Sequence, residues 1–172
     1  MMMKMLEAGG LPPLKDDWRR ADDDNPGGYY EFERVKKIKD DTSWLDEANG
    51  KAVKMVSRLL VYLPQDRAYK VVFMRRKTGE MLRSQRAMLE RSGENSNDVD
   101  DETMQRLFES HLEDIDHWIN ARPNVESLYV WYHEVLGQTE ETARKVNDFL
   151  GIDLNIERMT ATVDQSLYRN RQ

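Results

Sequence analysis

Along this chain the apolar positions switch between helical spacing and short β-branched runs. The clearest run is residues 71–73, which lies between Leu63-Pro64 and a group of cations. Such a run predicts a strand that is buried on both faces, as in a parallel sheet. The next segment, residues 78–89, has apolar residues at helical spacing and predicts a helix.

The rest of the pattern predicts helices and strands joined by polar loops. Helices are predicted at residues 1–8, 29–39 and 155–163 and from Thr139 to Leu150. A further helix is predicted to begin at Ser57 as its cap and to run through Leu63, and another to run from Asp100 or Asp101 to before Pro123. Two further strands are predicted at residues 51–56 and 127–131. Residues 11–28 and 92–100 are polar and predict loops. Strands that alternate with helices predict an α/β fold with a mostly parallel sheet.

Composition narrows the class of protein. A chain of 172 residues is most simply one domain, residues 1–172. Its 26 Lys and Arg against 32 Asp and Glu give a net charge of −6, which argues against nucleic acid as a partner. Cysteine is absent, which excludes disulfides, thiolate zinc sites and a cysteine nucleophile. No apolar stretch approaches the roughly 20 residues that span a bilayer, and the start lacks a signal-peptide layout, so a cytoplasmic protein without a membrane partner is expected.

Candidate chemistry is concentrated where the central strand passes into the next helix. Arg75, Arg76 and Lys77 stand together at that junction. Ligands of open α/β sheets bind at this edge, a helix N-terminus favours anions, and guanidinium groups bind phosphate well. The sequence therefore predicts either a phosphate site or an ordinary basic turn.

Three segments together resemble P-loop sulfotransferases, which move a sulfuryl group from 3′-phosphoadenosine-5′-phosphosulfate (PAPS) to a hydroxyl or amine. The segment FMRRKTGEMLRSQ resembles the family's 3′-phosphate motif, with Arg76, Glu80 and Ser84 at its spacing. The segment WYHEVLGQTEETARKVNDFLGI resembles the family's Tyr-Glu-Asp-Leu strand end and the helix after it, with Tyr132 matching and His133 in place of the usual acid. The segment MMMKMLEAGG resembles the helix that follows the family's phosphosulfate loop.

The resemblance implies a fold and a donor. The fold would be a P-loop NTPase-like three-layer sandwich, and PAPS would be the cofactor, with no metal. Arg76 and Ser84 would hold the 3′-phosphate, and Tyr132 would contact the adenine. The basic residues Arg169 and Arg171 would add phosphate contacts unless they belong to a solvated tail.

The resemblance points to two kinds of general base. Some relatives use a His just after the strand that residues 51–56 resemble, where Val56 and Ser57 stand here. Others use a carboxylate in the loop after the first helix, which points to Asp17, with Glu31 as a second candidate. Lys54 stands where relatives keep a Lys near the transfer site. The alternative for both carboxylates is a solvated acidic loop.

One departure from the family matters as much as the match. The family's first strand and glycine-rich phosphosulfate loop should stand directly before Met1, and neither Gly9-Gly10 nor Gly27-Gly28 has the Gly-Lys/Arg-Ser/Thr signature. Two explanations remain open: a start assigned to an internal Met, which we favour, or a true remnant that closes the gap differently or by oligomerising as a homodimer.

The expected function follows from these points. We expect a truncated sulfotransferase domain that binds adenosine-3′,5′-bisphosphate weakly and does not turn over. The alternative is a non-catalytic α/β interaction module whose strand edges bind a protein partner. A nucleotide-kinase-like protein fits less well, since no convincing magnesium-binding Asp follows a strand. The acceptor is not specified by the sequence.

Overall fold

The computed structural model describes residues 1–16, 29–83 and 100–164. Its helices are α1 (Met2–Gly9), α2 (residues 78–83), α3 (Asp101–Asn120), α4 (Tyr132–Gly137), α5 (Thr139–Leu150) and α6 (Ile156–Ala161). Its strands are β1 (Pro13–Leu14), β2 (Ala52–Val53), β3 (Tyr69–Arg75) and β4 (Val125–Trp131), and 3₁₀ turns cover Glu33–Lys37, Ser43–Asp46 and Ser57–Tyr62. No helix within these residues is both long and apolar enough to cross a membrane.

The described strands form two parallel pairs. β1 pairs with β2 over two residues. β3 pairs with β4 over seven, from Tyr69 opposite Val125 to Arg75 opposite Trp131. Parallel strands connected through helices confirm the predicted α/β class.

Two apolar cores lie on opposite faces of these strands. Odd-numbered β3 residues such as Phe73 pack into one core, while Val72 and Met74 pack into the other, as expected when successive side chains alternate between faces. The α3-side core contains Leu14, Phe32, Val35, Ile38, Trp44, Leu45, Leu60, Leu63, Phe73, Ile115, Ile119 and Val125. The α1-side core contains Met2, Met5, Leu6, Ala52, Val130, Val135, Ala143, Val146, Leu154 and Met159. The strands therefore form the middle layer of three.

Several long-range contacts fix the α1-side layer. The Gly9 carbonyl accepts a hydrogen bond from the Asn155 N–H at 2.9 Å, and a Cβ on Gly9 would lie only 2.8 Å from Met159 Cγ. A larger residue at position 9 would separate α1 from α6. On the neighbouring strand, Lys70 Nζ donates to the carbonyls of Phe149 and Leu150 at 2.7 and 3.1 Å, which anchors the end of α5 to β3.

Elements with strong local signals are confirmed. α1 ends at Gly10, whose φ of 109° is left-handed, and α5 ends at Gly151, with φ of 68°. α3 begins after Asp100, whose carboxylate accepts the Thr103 N–H at 2.9 Å. β4 also matches its prediction. α4, which starts directly after β4, was not predicted.

The predicted helix over residues 29–39 is wrong, because only a 3₁₀ turn forms there. Asp16 holds the start of this segment in a different conformation: its N–H donates to the Glu31 carbonyl, and its carboxylate accepts the Glu33 N–H. Tyr30 has a left-handed φ of 53°, which a helix does not contain.

Three smaller predictions are also corrected. The strand predicted at residues 51–56 pairs only over Ala52–Val53. Ser57 does not cap its helix; its hydroxyl lies 2.8 Å from His111 Nε2, and Val56 is the cap residue. β3 is not buried on both faces, since only Phe73 is buried. Within the described residues β3 has a partner on one edge only, which leaves its side chains partly uncovered.

Candidate functional site

A cavity of about 1130 Å³ lies between the two pairs of strands. Residues 48–55, which include β2, form one wall, and residues 67–76, which include β3, form another. Among the cations of these walls, Lys54 and Arg76 are the ones that directly follow a strand. Both follow a parallel strand, at the carboxyl edge where α/β folds bind ligands.

Arg76 and Tyr132 are brought together at this edge. Arg76 directly follows β3 and Tyr132 directly follows β4, and the strands end in register. The Arg76 guanidinium carbon lies 4.7 Å from the centre of the Tyr132 ring, a stacking distance for a cation over an aromatic face. Residues that resembled two separate motifs in the sequence therefore lie in contact at one edge of the sheet.

A carboxylate from α2 fixes the direction of Arg76. Arg76 Nε lies 3.3 Å from Glu80 Oε2. Glu80 is only 7% exposed, and a buried carboxylate needs a charged or hydrogen-bonded partner. The ion pair is made through Nε, so it does not use the two Nη groups of the planar guanidinium. That geometry suits a phosphate or sulfate oxygen pair.

Arg75 has a different role from its neighbour. Its Nη2 lies 2.5 Å from Asp116 Oδ2, and its guanidinium carbon lies 5.2 and 5.1 Å from the ring centres of Phe73 and Tyr129. These contacts satisfy Arg75 as a structural residue. Arg75 and the exposed Lys77 agree with the interpretation of the junction as an ordinary basic turn, so the interpretation as a phosphate site rests on Arg76.

Glu31 and Lys54 form a second polar group. Glu31 Oε1 lies 3.9 Å from Lys54 Nζ. Lys54 Nζ also donates to the Tyr29 carbonyl at 2.8 Å and lies 5.9 Å from the centre of the Tyr29 ring. Lys54 is therefore held beside Glu31 at the mouth of the cavity, although its side chain remains exposed to solvent. The structure pairs Arg76 with Glu80 and Lys54 with Glu31.

A hydrogen-bonded network that the sequence did not reveal supports Glu31. The Tyr30 hydroxyl donates to Glu7 Oε2 at 2.5 Å, and Lys15 Nζ donates to Glu7 Oε1 at 3.0 Å. These two donors lower the pKa of Glu7. Burial and the adjacent Glu7 raise the pKa of Tyr30 to about 12. The backbone of Tyr30 is in the left-handed region, and its hydroxyl is anchored to Glu7 on α1. Because Glu31 is the next residue, this anchoring also fixes the direction of the Glu31 side chain.

We expect this network to have a distinct pH dependence. The pKa of Tyr30 is raised from 10.0 to about 12, so its hydroxyl stabilises the folded state fully below pH 10, and this stabilisation is lost as the pH rises through 12. Tyr30→Phe should lower the free energy of unfolding by roughly 1 kcal/mol at neutral pH. The difference should close as the pH rises above 10.

Urea unfolding of both proteins at a series of pH values measures this difference. Tyr62→Phe is a matched control, because Tyr62 is 40% exposed, and it should change little at any pH. A Tyr30→Phe difference that is absent at neutral pH, or that grows above pH 10, would contradict the network.

Some predicted residues lie outside the described part of the chain. Asp17, Ser84, Arg169 and Arg171 belong to this group, so their roles stay predictions. Among the residues that the structure does describe, no three His, Asp or Glu side chains form a group that could hold a metal ion.

Comparison with known families gives one result. A family model described as a sulfotransferase domain matches residues 29–172, which is more than half of the chain. The match includes Glu31, Arg76, Ser84 and Tyr132, but α1 lies outside it. Searches of curated proteins and of solved structures each gave no match.

Proposed function

Because the chain belongs to the sulfotransferase family, we propose that its cavity is a donor site for PAPS, with a hydroxyl or amine as acceptor. The observation that carries this proposal is the stacking of Arg76 on Tyr132 beside the buried Glu80. It provides a fixed guanidinium at the carboxyl edge of two parallel strands of a P-loop NTPase-like fold. When bound, the donor supplies the activated sulfuryl group.

The residues present fit one end of such a donor. Arg76 would bind the 3′-phosphate through charge-assisted hydrogen bonds, and Ser84 would add a hydroxyl. Tyr132 is covered by Arg76 on one face, so it would hold Arg76 flat and contact the adenine with its remaining half-exposed surface. No metal ligand is needed for this binding.

Glu31 is the proposed general base among the described residues. Its Oε1 lies 3.9 Å from Lys54 Nζ, which is too long for a hydrogen bond, so Lys54 leaves the carboxylate oxygens available to accept a proton from an acceptor hydroxyl. Lys54 lines the cavity and would offset negative charge that develops during transfer. Asp17 remains the other candidate.

We also propose that this chain binds the donor weakly and does not turn over. No glycine in its sequence belongs to a Gly-Lys/Arg-Ser/Thr loop that could supply backbone N–H groups and a cation to the phosphosulfate. The 3′-phosphate end of the site would then carry most of the affinity. A cytoplasmic location stays a prediction.

Thermal unfolding with two nucleotides tests the donor site. Adenosine-3′,5′-bisphosphate at about ten times its Kd should raise the Tm by roughly 3–6 °C, because it binds only the folded state. Adenosine-5′-monophosphate is the matched control, since it lacks the 3′-phosphate that Arg76 would hold. Equal shifts with both nucleotides, or no shift with either, would contradict the proposed site. Sulfuryl transfer from PAPS by this chain would contradict the proposed inactivity.

A further inference from the structure

A buried carboxylate lies beside the cation of the candidate donor site. Glu80 is 7% exposed, and its Oε2 lies 3.3 Å from Arg76 Nε. A negative charge this close to Arg76 repels a phosphate that binds there, and burying a carboxylate is itself unfavourable. The charge of Glu80 therefore opposes anion binding, so any benefit that Glu80 gives the site must come from its effect on Arg76.

The benefit follows from which nitrogen Glu80 contacts. Glu80 is in the first turn of α2, four residues after Arg76, and its carboxylate accepts a hydrogen bond from Nε. The two Nη groups at the end of the guanidinium take no part in this contact. Two such groups can donate together to two oxygens of one phosphate. On the face of the guanidinium, the Tyr132 ring at 4.7 Å restricts rotation out of this plane.

The neighbouring arginine has the opposite arrangement. Arg75 contacts its carboxylate partner, Asp116, through Nη2, which is one of the groups that a bound phosphate would use. Asp116 therefore occupies the end of the Arg75 guanidinium, whereas Glu80 orients Arg76 and leaves that end available to a ligand.

Orienting a side chain before the ligand arrives raises affinity. A free arginine has many rotamers and loses them when it holds a ligand. Where the protein has already fixed the side chain, that loss of entropy no longer opposes binding.

We propose that Glu80 is a positioning residue, whose oxygen accepts from Nε and holds Arg76 with both Nη groups available to a phosphate monoester. The inference rests on the proposed donor site for the identity of the anion. It goes beyond that site by assigning a role to a side chain that does not contact the ligand. The property that matters is the acceptor oxygen of Glu80 and not its negative charge.

Two substitutions separate the acceptor from the charge. Glu80→Gln and Glu80→Leu both remove the negative charge, but only glutamine keeps an oxygen that can accept from Nε. Glu80→Gln should bind adenosine-3′,5′-bisphosphate at least as tightly as the unaltered chain, because the repelling charge is gone. Glu80→Leu should bind it about 3- to 10-fold more weakly than Glu80→Gln, the fold-change expected for immobilising one long side chain on binding.

Isothermal titration calorimetry measures these affinities, and urea unfolding checks that each variant folds. If Glu80→Leu does not fold, Glu80→Met removes the same oxygen with a more adaptable side chain. Glu140 is the matched control, because it pairs with Arg144 four residues away on the exposed surface of α5. Glu140→Gln and Glu140→Leu should bind the nucleotide equally.

A second background tests whether Glu80 acts through Arg76. In an Arg76→Ala chain, Glu80→Gln and Glu80→Leu should bind adenosine-3′,5′-bisphosphate equally, because the side chain that the oxygen positions is gone. A purely structural effect of Glu80 on the fold would persist in that background.

Nuclear magnetic resonance tests the positioning without any ligand. The Arg76 Nε–H signal is assigned by its absence from Arg76→Ala. Its ¹⁵N relaxation should show a rigid group on the picosecond–nanosecond timescale in the unaltered chain and in Glu80→Gln, and a mobile one in Glu80→Leu.

Three results would overturn the proposal. The first is equal affinity of Glu80→Gln and Glu80→Leu for the nucleotide. The second is an affinity difference between them that persists in Arg76→Ala, and the third is equal rigidity of the Arg76 Nε–H in all three chains. If no chain binds adenosine-3′,5′-bisphosphate but the rigidity differs as expected, the positioning of Arg76 is supported and the proposed donor is wrong.

Discussion

Trp44→Ala is expected to lower the free energy of unfolding by about 3–5 kcal/mol, the range for truncating a buried aromatic residue. Trp44 is 1% exposed and is among the largest fully buried side chains. Its ring packs edge-to-face on Phe32, with centroids 5.5 Å apart, and its Nε1 donates to the Asp41 carbonyl at 3.0 Å. Truncation would open a void in the α3-side core and leave that carbonyl without this donor.

Urea unfolding followed by circular dichroism measures the loss. Trp131→Ala is the matched control, because Trp131 is 38% exposed, and it should cost less than about 1 kcal/mol. Similar losses for the two variants would mean that Trp44 does not anchor the core as described.

Arg76→Ala is expected to weaken binding of adenosine-3′,5′-bisphosphate about 30- to 150-fold, equivalent to about 2–3 kcal/mol for hydrogen bonds to a charged group. Arg76 is the cation that Tyr132 and Glu80 hold at the carboxyl edge of β3. Arg76→Lys keeps the charge but loses the planar fork and the stacking, so it should recover only part of the affinity.

Isothermal titration calorimetry measures these affinities, with unfolding curves to separate lost binding from lost stability. Arg144→Ala is the matched control, since Arg144 pairs with Glu140 on the exposed surface of α5, and it should bind the nucleotide normally. Equal affinity of Arg76→Ala and the unaltered chain would remove Arg76 from the site.

Local signals in the sequence were sufficient to predict the long helices and the residues at which helices end. α3 and α5 have apolar residues at helical spacing, Asp100 provides a side-chain cap, and Gly10 and Gly151 provide left-handed ends. These features depend on residues within a few positions of each other, so a single sequence contains them.

Features that depend on distant residues were not predictable in the same way. The segment after Tyr29 has a helical pattern, but hydrogen bonds from Asp16 and the Tyr30–Glu7 contact hold it in another conformation. Tertiary contacts of this kind override local propensity.

The candidate site shows the same limit. The resemblance identified Arg76 and Tyr132 separately, but their stacking depends on the register of β3 with β4. The different roles of Arg75 and Arg76 depend on which side of the strand each residue faces. Neither the strand register nor the direction of these two side chains can be predicted from composition or spacing alone.

The contact between Gly9 and Asn155 has a consequence for how the chain folds. α1 is synthesised early, but α6, against which it packs, is among the last described elements to be made. Contacts between residues far apart in sequence slow folding, because a long loop must close before they form. During synthesis the apolar side chains of Met2, Met5 and Leu6 therefore remain exposed until α6 has been made. We expect α1 to be a segment of the nascent chain that chaperones bind.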